Sequence, residues 1–284
     1  MNKSIGFVRL LRPWQWYKNL LIFVPILFSG NFFNIPALIL TVFGFLALCF
    51  VSSFNYVIND VVDYKKDSIN IEKRNRPVAS GLINRAEAVI FGFVFLLLGL
   101  WIASGLGAYF FGSVILLVLL SQLYNFWLKN EIFADVIIIG INFVIRAASG
   151  AFIIGVFIST WLVLCTFFLS LVLSVGKRYA ETILLGEKSA KHRAVLSGYT
   201  KPVVHTLLVL CMGLLLMAYS LYCFIDRPQL MLTLPFALYC VFRYNGLLET
   251  DPKFARNPEL LFLDKHMLVG SVAWLIISIL LIYA

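Results

Sequence analysis

The stretch ALILTVFGFLALCFVSSFNYVINDVVDYKKD (Ala37–Asp67) decides the fold. Residues 37–58 carry no charge. They are long enough to cross a bilayer, whose hydrocarbon core takes about 20 helical residues. NDVVDYKKD (Asn59–Asp67) follows with no turn residue between, and sets three carboxylates, an amide and two lysines in nine residues. A membrane span thus runs directly into an acidic cluster.

The rest of the chain repeats the apolar half of that pattern. It is 61% hydrophobic and 13% charged over 284 residues, about half the charge of a soluble domain. Apolar segments fall at about 17–33, 37–58, 88–104, 107–127, 132–155, 160–178, 203–224, 229–246 and 266–283. The expectation is an all-α, polytopic membrane protein with about nine transmembrane helices. Ser104-Gly105-Leu106-Gly107 makes a tight hairpin between the third and fourth. The basic N-terminus precedes an apolar run without a small-residue cleavage site, which reads as a first span and not as a cleaved signal.

Charge fixes the expected orientation. All Lys and Arg except Arg146 and Arg227 fall on one side of a nine-pass chain. The positive-inside rule puts that side, with the N-terminus, in the cytoplasm of the cell (inner) membrane and the C-terminus outside. The net charge of +9 is therefore a topology signal, and no nucleic-acid partner is expected. The working surface is built from two cytoplasmic loops, 59–87 and 177–201, within one domain spanning 1–284. Residues 1–16 read as an interfacial arm rich in Trp and Arg. The five cysteines lie in or beside apolar runs without a CxxC pair, and His192, His205 and His266 are scattered. Neither a disulfide framework nor a zinc site is expected.

Asn59, Asp60, Asp63 and Asp67 are spaced i, i+1, i+4, i+8. On a helix, 59, 63 and 67 stack on one face a turn apart. Bare carboxylates at that spacing repel, and a divalent cation relieves the repulsion. Mg²⁺ is held by one or two carboxylates together with substrate phosphates and water. EKRNRPVASG (Glu72–Gly81) then supplies Lys73, Arg74 and Arg76, suited to phosphate oxygens. Acids for metal and bases for phosphate are the parts of a metal-bound diphosphate site. The plainer reading is a solvated loop whose bases obey the positive-inside rule; both stand at this point. Arg146 lies about three turns into its span from Asp135. At that depth an arginine costs on the order of 3 kcal/mol unless it is paired or faces a wet cavity. It therefore meets either a phosphate or an acid on another helix. Lys18, Lys129 and Tyr56 sit at span ends, where snorkelling anchors and interfacial aromatics are common.

NDVVDYKKD resembles the NDxxDxxxD motif of the UbiA superfamily of intramembrane prenyltransferases. A second acidic motif, DxxxD, follows the sixth span in that superfamily. Here that place reads GKRYAE (Gly176–Glu181). RPWQWYKNLLIFVP (Arg12–Pro25), NRPVASG (Asn75–Gly81), NFVIRAASG (Asn142–Gly150), GKRYAE, Tyr199-Thr200 and FRYN…NPELLFLDKHML (Phe242–Leu268) together resemble decaprenyl-phosphate phosphoribosyltransferases, from about residue 12 to the end.

The resemblance implies a UbiA-type bundle around a cytoplasm-facing cavity, with lateral gaps for a lipid tail. It implies Mg²⁺-dependent transfer of 5-phosphoribose from 5-phosphoribose 1-diphosphate to a polyprenyl phosphate, releasing diphosphate. In mycobacteria the product feeds cell-wall arabinan synthesis. The metal role falls to Asn59 and Asp63, with Asp60 and Asp67 behind them. Tyr56, Lys73 and Arg76 would contact the donor; Lys18, Lys129 and Arg146 would contact phosphate. Lys177 and Arg178, bases in place of the second acidic motif, would grip the lipid phosphate or the ribose 5-phosphate directly, with Glu181 orienting Lys177. Tyr179, Arg243 and Tyr244 would complete the cavity, and Asp264 would pair with a base there. Asp60, Asp63, Lys73 and Lys177 are the expected catalytic residues. Membrane lipids are expected around the chain, and a homo-oligomer is compatible with it. Two other readings remain: a prenyltransferase using a prenyl diphosphate, which needs the missing acidic motif, and a transporter, whose site would lie near the midplane on broken helices.

Overall fold

Every regular element among the described residues of this computed structural model is a helix. The structure describes residues 3–70, 72–185, 198–251 and 253–284. Lys188, Lys191 and Arg193 of the expected second loop lie outside the described residues. Helix α1 (Lys3–Leu11) is followed by a 3₁₀ helix (Pro13–Phe23), α2 (Val24–Phe28), α3 (Ile35–Ile69), α4 (Arg85–Ser104), α5 (Ala108–Phe126) and α6 (Ala134–Ile154). Then come α7 (Thr160–Leu185), α8 (Lys201–Ile225), α9 (Leu234–Thr250), α10 (Lys253–Arg256) and α11 (Lys265–Tyr283). Among the described residues eight helices are long and apolar enough to cross a membrane, α9 being counted with its 3₁₀ lead-in Pro228–Thr233. The all-α, multi-pass expectation is borne out.

The remaining expected span, 17–33, is wound differently. Arg12 adopts a left-handed conformation (φ 50°, ψ 58°) that ends α1, and Pro13 opens the 3₁₀ helix. Eleven residues of 3₁₀ helix and five of α2 reach roughly 30 Å, at about 2.0 and 1.5 Å per residue. That length matches the thickness of a hydrocarbon core with fewer residues than one α-helix needs. A period of three also lines up Trp16, Asn19 and Ile22 on one side. Asn19 and Ile22 are fully buried, and Trp16 Nε1 donates to Ser53 Oγ at 3.1 Å.

The chain forms two units, Met1–Leu128 with Ile145–Phe157, and Lys129–Val144 with Ile158–Ala284. In the first, α3 is the axis. Asn34 caps it by accepting the Ala37 N–H. Its 35 residues run about 50 Å, far beyond a ~30 Å core. Some 20 residues are spent on the crossing, so Asn59 emerges close to the far boundary. The 3₁₀ helix, α1, α4 and α5 pack around α3. Leu10 of α1 joins Val57, Val78, Ile83 and Ala88 in a small core, so the N-terminal arm is docked on its unit. Gly150 of α6 lies against the 3₁₀ helix: a Cβ there would stand 2.0 Å from the Ile22 carbonyl oxygen. Small residues permit such backbone approach, which matters in lipid, where apolar burial alone does not drive helices together.

In the second unit α7 packs along α8, and α9 packs on α11. Its core includes Val172, Val175, Tyr179, Leu208, Tyr244 and Leu248. Both expected active-site loops begin later than the sequence suggests. Residues 59–69 continue α3, and Lys177–Leu185 continue α7. The charged side chains follow their helices out of the apolar layer with no Gly or Pro to break the winding.

Candidate functional site

Because α3 is unbroken through Ile69, the four motif residues hold fixed directions. At 100° per residue each step of four drifts by about 40°. Asp67 therefore points about 80° away from Asn59 and only about 20° from Asp60. The structure corrects the expected single face into two.

Asp60 and Asp67 are 2% and 3% exposed. Arg76 Nη1 bridges them, 3.0 Å from Asp60 Oδ1 and 2.6 Å from Asp67 Oδ2. Arg12 Nη2 also donates to Asp60 Oδ1, and Lys73 Nζ lies 3.9 Å from Asp67 Oδ1. Asp60 and Asp67 thus hold two arginines, and Arg76 spends its charge on them. Arg76 belongs here to an ion-pair cluster that ties the 73–76 turn and the start of the 3₁₀ helix to α3. The Arg12 guanidinium also lies 5.2 Å above the Tyr56 ring.

Asn59 and Asp63 form the other face, and both are partly exposed. Asn59 Nδ2 donates to Asp63 Oδ2 at 3.3 Å and to Asn125 Oδ1 at 3.0 Å. Both amide hydrogens are thereby used, and Asn59 Oδ1 accepts no hydrogen bond among the described residues. Arg146 is buried and its Nε donates to Asn19 Oδ1 at 2.9 Å. Asn19 in turn donates to Cys49 Sγ and accepts from Ser52 Oγ. Three residues of 3₁₀ helix (Asn19 to Ile22) and four of α-helix (Arg146 to Gly150) both rise about 6 Å. The polar contact and the glycine contact are therefore in register. Lys18 flanks Asn19 and is partly exposed.

In the second unit, GKRYAE lies on α7. Lys177 is exposed. Arg178 is 2% exposed; its Nε donates to Asp135 Oδ2 at 2.9 Å and its Nη1 to Glu181 Oε2 at 2.6 Å. Tyr199 donates to Asp135 Oδ1 at 2.5 Å and accepts the Phe133 N–H. Burial pushes the Tyr199 phenol above its ordinary range, and the hydrogen bond to Asp135 adds to the shift. Tyr179 is 1% exposed and donates to Glu249 Oε1 at 2.5 Å. Arg178, Tyr179 and Glu181, expected at a phosphate, at a cavity wall and beside Lys177, are found here in packing and ion pairs. The physical reason is the unbroken helix, which turns Lys177 out and its two neighbours in. Arg243 forms a two-pronged pair with Asp264 at 3.0 and 2.6 Å, as expected of Asp264. The Arg243 bonds hold the Asp264 carboxyl down to about 2. Tyr244 is buried with its hydroxyl unpaired against Gly176, and Lys129 is 8% exposed.

Sequence reasoning missed Arg12, Asn19, Asn125 and Asp135. Asn125 carried a signal: Gln122 and Asn125 are amides three residues apart inside an apolar span, the same anomaly that singled out Arg146. Arg12 did not, because a left-handed break before a proline is invisible to an α-helical period.

Among the described residues no three Asp, Glu, His or Cys side chains converge as a preformed metal cage. The donor set that is present, one carboxylate and one amide oxygen a turn apart, suits an ion that brings its own waters and phosphates. Fold and composition together define a multi-pass membrane protein.

The chain belongs to the UbiA prenyltransferase family, which matches residues 20–265. It is 28% identical to the decaprenyl-phosphate phosphoribosyltransferase of Corynebacterium glutamicum, over 99% of this chain and 88% of that protein. It is likewise 28% identical to that of Mycolicibacterium smegmatis, over 96% and 91%. A UbiA homolog from Archaeoglobus fulgidus, solved bound to GPP and Mg²⁺, shares the fold with a TM-score of 0.73 at 18% identity, covering 98% of this chain and all of that one.

Proposed function

We propose that this chain transfers the 5-phosphoribosyl group of 5-phosphoribose 1-diphosphate to a polyprenyl phosphate and releases diphosphate, with Mg²⁺. The observation that carries the reading is the chemistry of GKRYAE. An exposed lysine and a buried arginine stand where a second metal-binding acidic motif would serve a prenyl diphosphate. The near full-length likeness to two phosphoribosyltransferases supports it.

The acceptor phosphate is already anionic, so no strong general base is required. The difficulty is departure of diphosphate from the ribose C1, where charge grows on the leaving oxygens. Asn59 Oδ1 and Asp63 would hold Mg²⁺, which supplies charge neutralisation to the leaving diphosphate. Asp60 and Asp67 act through Arg76 and Arg12: they fix the end of α3 and the 73–76 turn, and so set where Asp63 and Lys73 stand. Lys73 is half exposed and reaches the donor's phosphates. Tyr56 and Arg146, within electrostatic range of one another, bind the donor. Lys177 holds a phosphate directly, and Arg178 positions it by locking α7 to Asp135. In this reading the site is cytoplasmic, the N-terminus lies inside and the C-terminus outside.

The test supplies purified protein in detergent with radiolabelled 5-phosphoribose 1-diphosphate, a C50-type polyprenyl phosphate and Mg²⁺. Labelled lipid that disappears with chelator is the expected result. No labelled lipid, together with turnover of a prenyl diphosphate, would replace this reading with ordinary prenyl transfer.

A further inference from the structure

We infer that Asn125 is a positioning residue for the metal-binding amide: it holds Asn59 with its oxygen toward the ion. This rests on the Mg²⁺-diphosphate reading of Asn59 and Asp63. An asparagine amide has two faces that differ only in O and N, and rotation by half a turn exchanges them. Only the oxygen binds a cation. Asn59 is partly exposed and lies at the end of the crossing, where solvent would permit either orientation. Two acceptors choose for it, Asp63 Oδ2 at 3.3 Å and Asn125 Oδ1 at 3.0 Å, both taking hydrogens from Nδ2. The Asn125 contact is the shorter, and Asp63 would have to share its oxygens with the ion.

Asn125 is itself locked. It is 4% exposed near the end of α5. Its Nδ2 faces the Asn55 carbonyl oxygen at 3.4 Å and Gln122 Oε1 at 3.5 Å, and Gln122 Nε2 donates to Asn55 Oδ1 at 2.6 Å. With its hydrogens directed at α3 backbone and at Gln122, Asn125 can only present its oxygen to Asn59. The order of bonds runs from Gln122 and Asn55 through Asn125 to Asn59, and each link is set by the one before. Buried amide bonds of this kind restrain one another; the nitrogen without a partner, Asn55 Nδ2, lies at the far end of the chain of bonds from Asn59. The consequence is an oxygen already aimed when the ion and diphosphate arrive.

The experiment titrates Mn²⁺, read as free ion by electron paramagnetic resonance, into purified protein in the presence of inorganic diphosphate. Asn125→Leu removes the acceptor at similar volume. Asn125→Asp keeps the acceptor toward Asn59 and gives up the bonds to Asn55 and Gln122. Loss of the orienting acceptor predicts roughly tenfold weaker Mn²⁺ binding for Asn125→Leu, with Asn125→Asp binding more tightly than Asn125→Leu. Leu and Asp variants that both bind like the parent would overturn the inference and leave the metal reading standing. A parent that binds no Mn²⁺ with diphosphate would overturn both. If Asn125→Leu does not fold, Asn125→Ala takes its place, with the same two outcomes.

Discussion

Arg76 carries two readings, a contact to the donor and a clamp on Asp60 and Asp67, and Arg76→Ala separates them. Arg76 Nη1 makes two charge-assisted hydrogen bonds, to carboxylates that are 2% and 3% exposed. Removing one partner of a buried ion pair costs about 3–5 kcal/mol, because the other charge is left without compensation. Three features hold the cost to the low end. Arg12 still reaches Asp60, Lys73 stands 3.9 Å from Asp67, and the Arg76 side chain is itself a quarter exposed. The expected loss is about 3 kcal/mol. Unfolding of purified protein in detergent, followed by helical circular dichroism against denaturant, measures it. The mechanism makes a second demand: Asp67→Asn should offset part of the damage, since it removes the stranded charge. In a double-mutant cycle the pair should then lose at least about 1 kcal/mol less than the sum of the single variants. An Arg76→Ala protein that unfolds like the parent and shows only a raised KM for the donor would refute this reasoning. Arg76 would then be a phosphate ligand.

Four further outcomes follow from the same geometry. Asp63→Ala should abolish Mg²⁺-dependent transfer while circular dichroism and the unfolding midpoint stay at parental values, since Asp63 is partly exposed; near-normal rates would remove the metal assignment. Lys177→Ala should lower kcat/KM by at least about tenfold, the scale of one lost charge-assisted bond, and unchanged kinetics would return that lysine to a topology signal. Gly150→Ala brings a Cβ to 2.0 Å from the Ile22 carbonyl oxygen, so it should reduce the yield of folded protein or cost more than about 1 kcal/mol; a parental unfolding curve would contradict the close packing. Asp264 is held at about 2, below its ordinary 3.8, by Arg243. Its contribution is full above the ordinary value and fades as pH falls from 3.8 toward 2. The stability gap between parent and Asp264→Asn should be flat above about pH 5 and shrink below pH 4, and a gap independent of pH would exclude the pairing as its source.

The fold was legible wherever the apolar runs were long. A span of some twenty uncharged residues has one solution in lipid, a helix, because every backbone group must be satisfied internally. The first charged residue does not end these helices. Asn59–Ile69 and Lys177–Leu185 remain helical, since leaving the hydrocarbon removes the need for apolar side chains and not the helical hydrogen bonds. The site was legible by residue type and less so by direction. Residue type marks Asp60, Asp63 and Asp67, but a spacing of four departs from the helical 3.6, and the small difference moves Asp67 to another face. Arg178 and Lys177 look alike in sequence, yet neighbours on a helix point about 100° apart, and one meets solvent while the other meets Asp135. Arg12 and Asn19 depend on a 3₁₀ winding that the sequence hints at only through Pro13 and Pro25.

The winding of Pro13–Phe23 decides more than a packing contact. A chain that crosses a membrane an even number of times ends on the side where it began, and an odd number leaves its two ends in different compartments. Eight α-helical crossings would return Ala284 to the side of Met1. In the nine-pass reading, roughly 30 Å of stretched helix would add one crossing with sixteen residues and change that parity. In the nine-pass reading the pitch of a single segment would set which compartment receives the C-terminus, and a reporter fused to Ala284 would take its compartment from that winding.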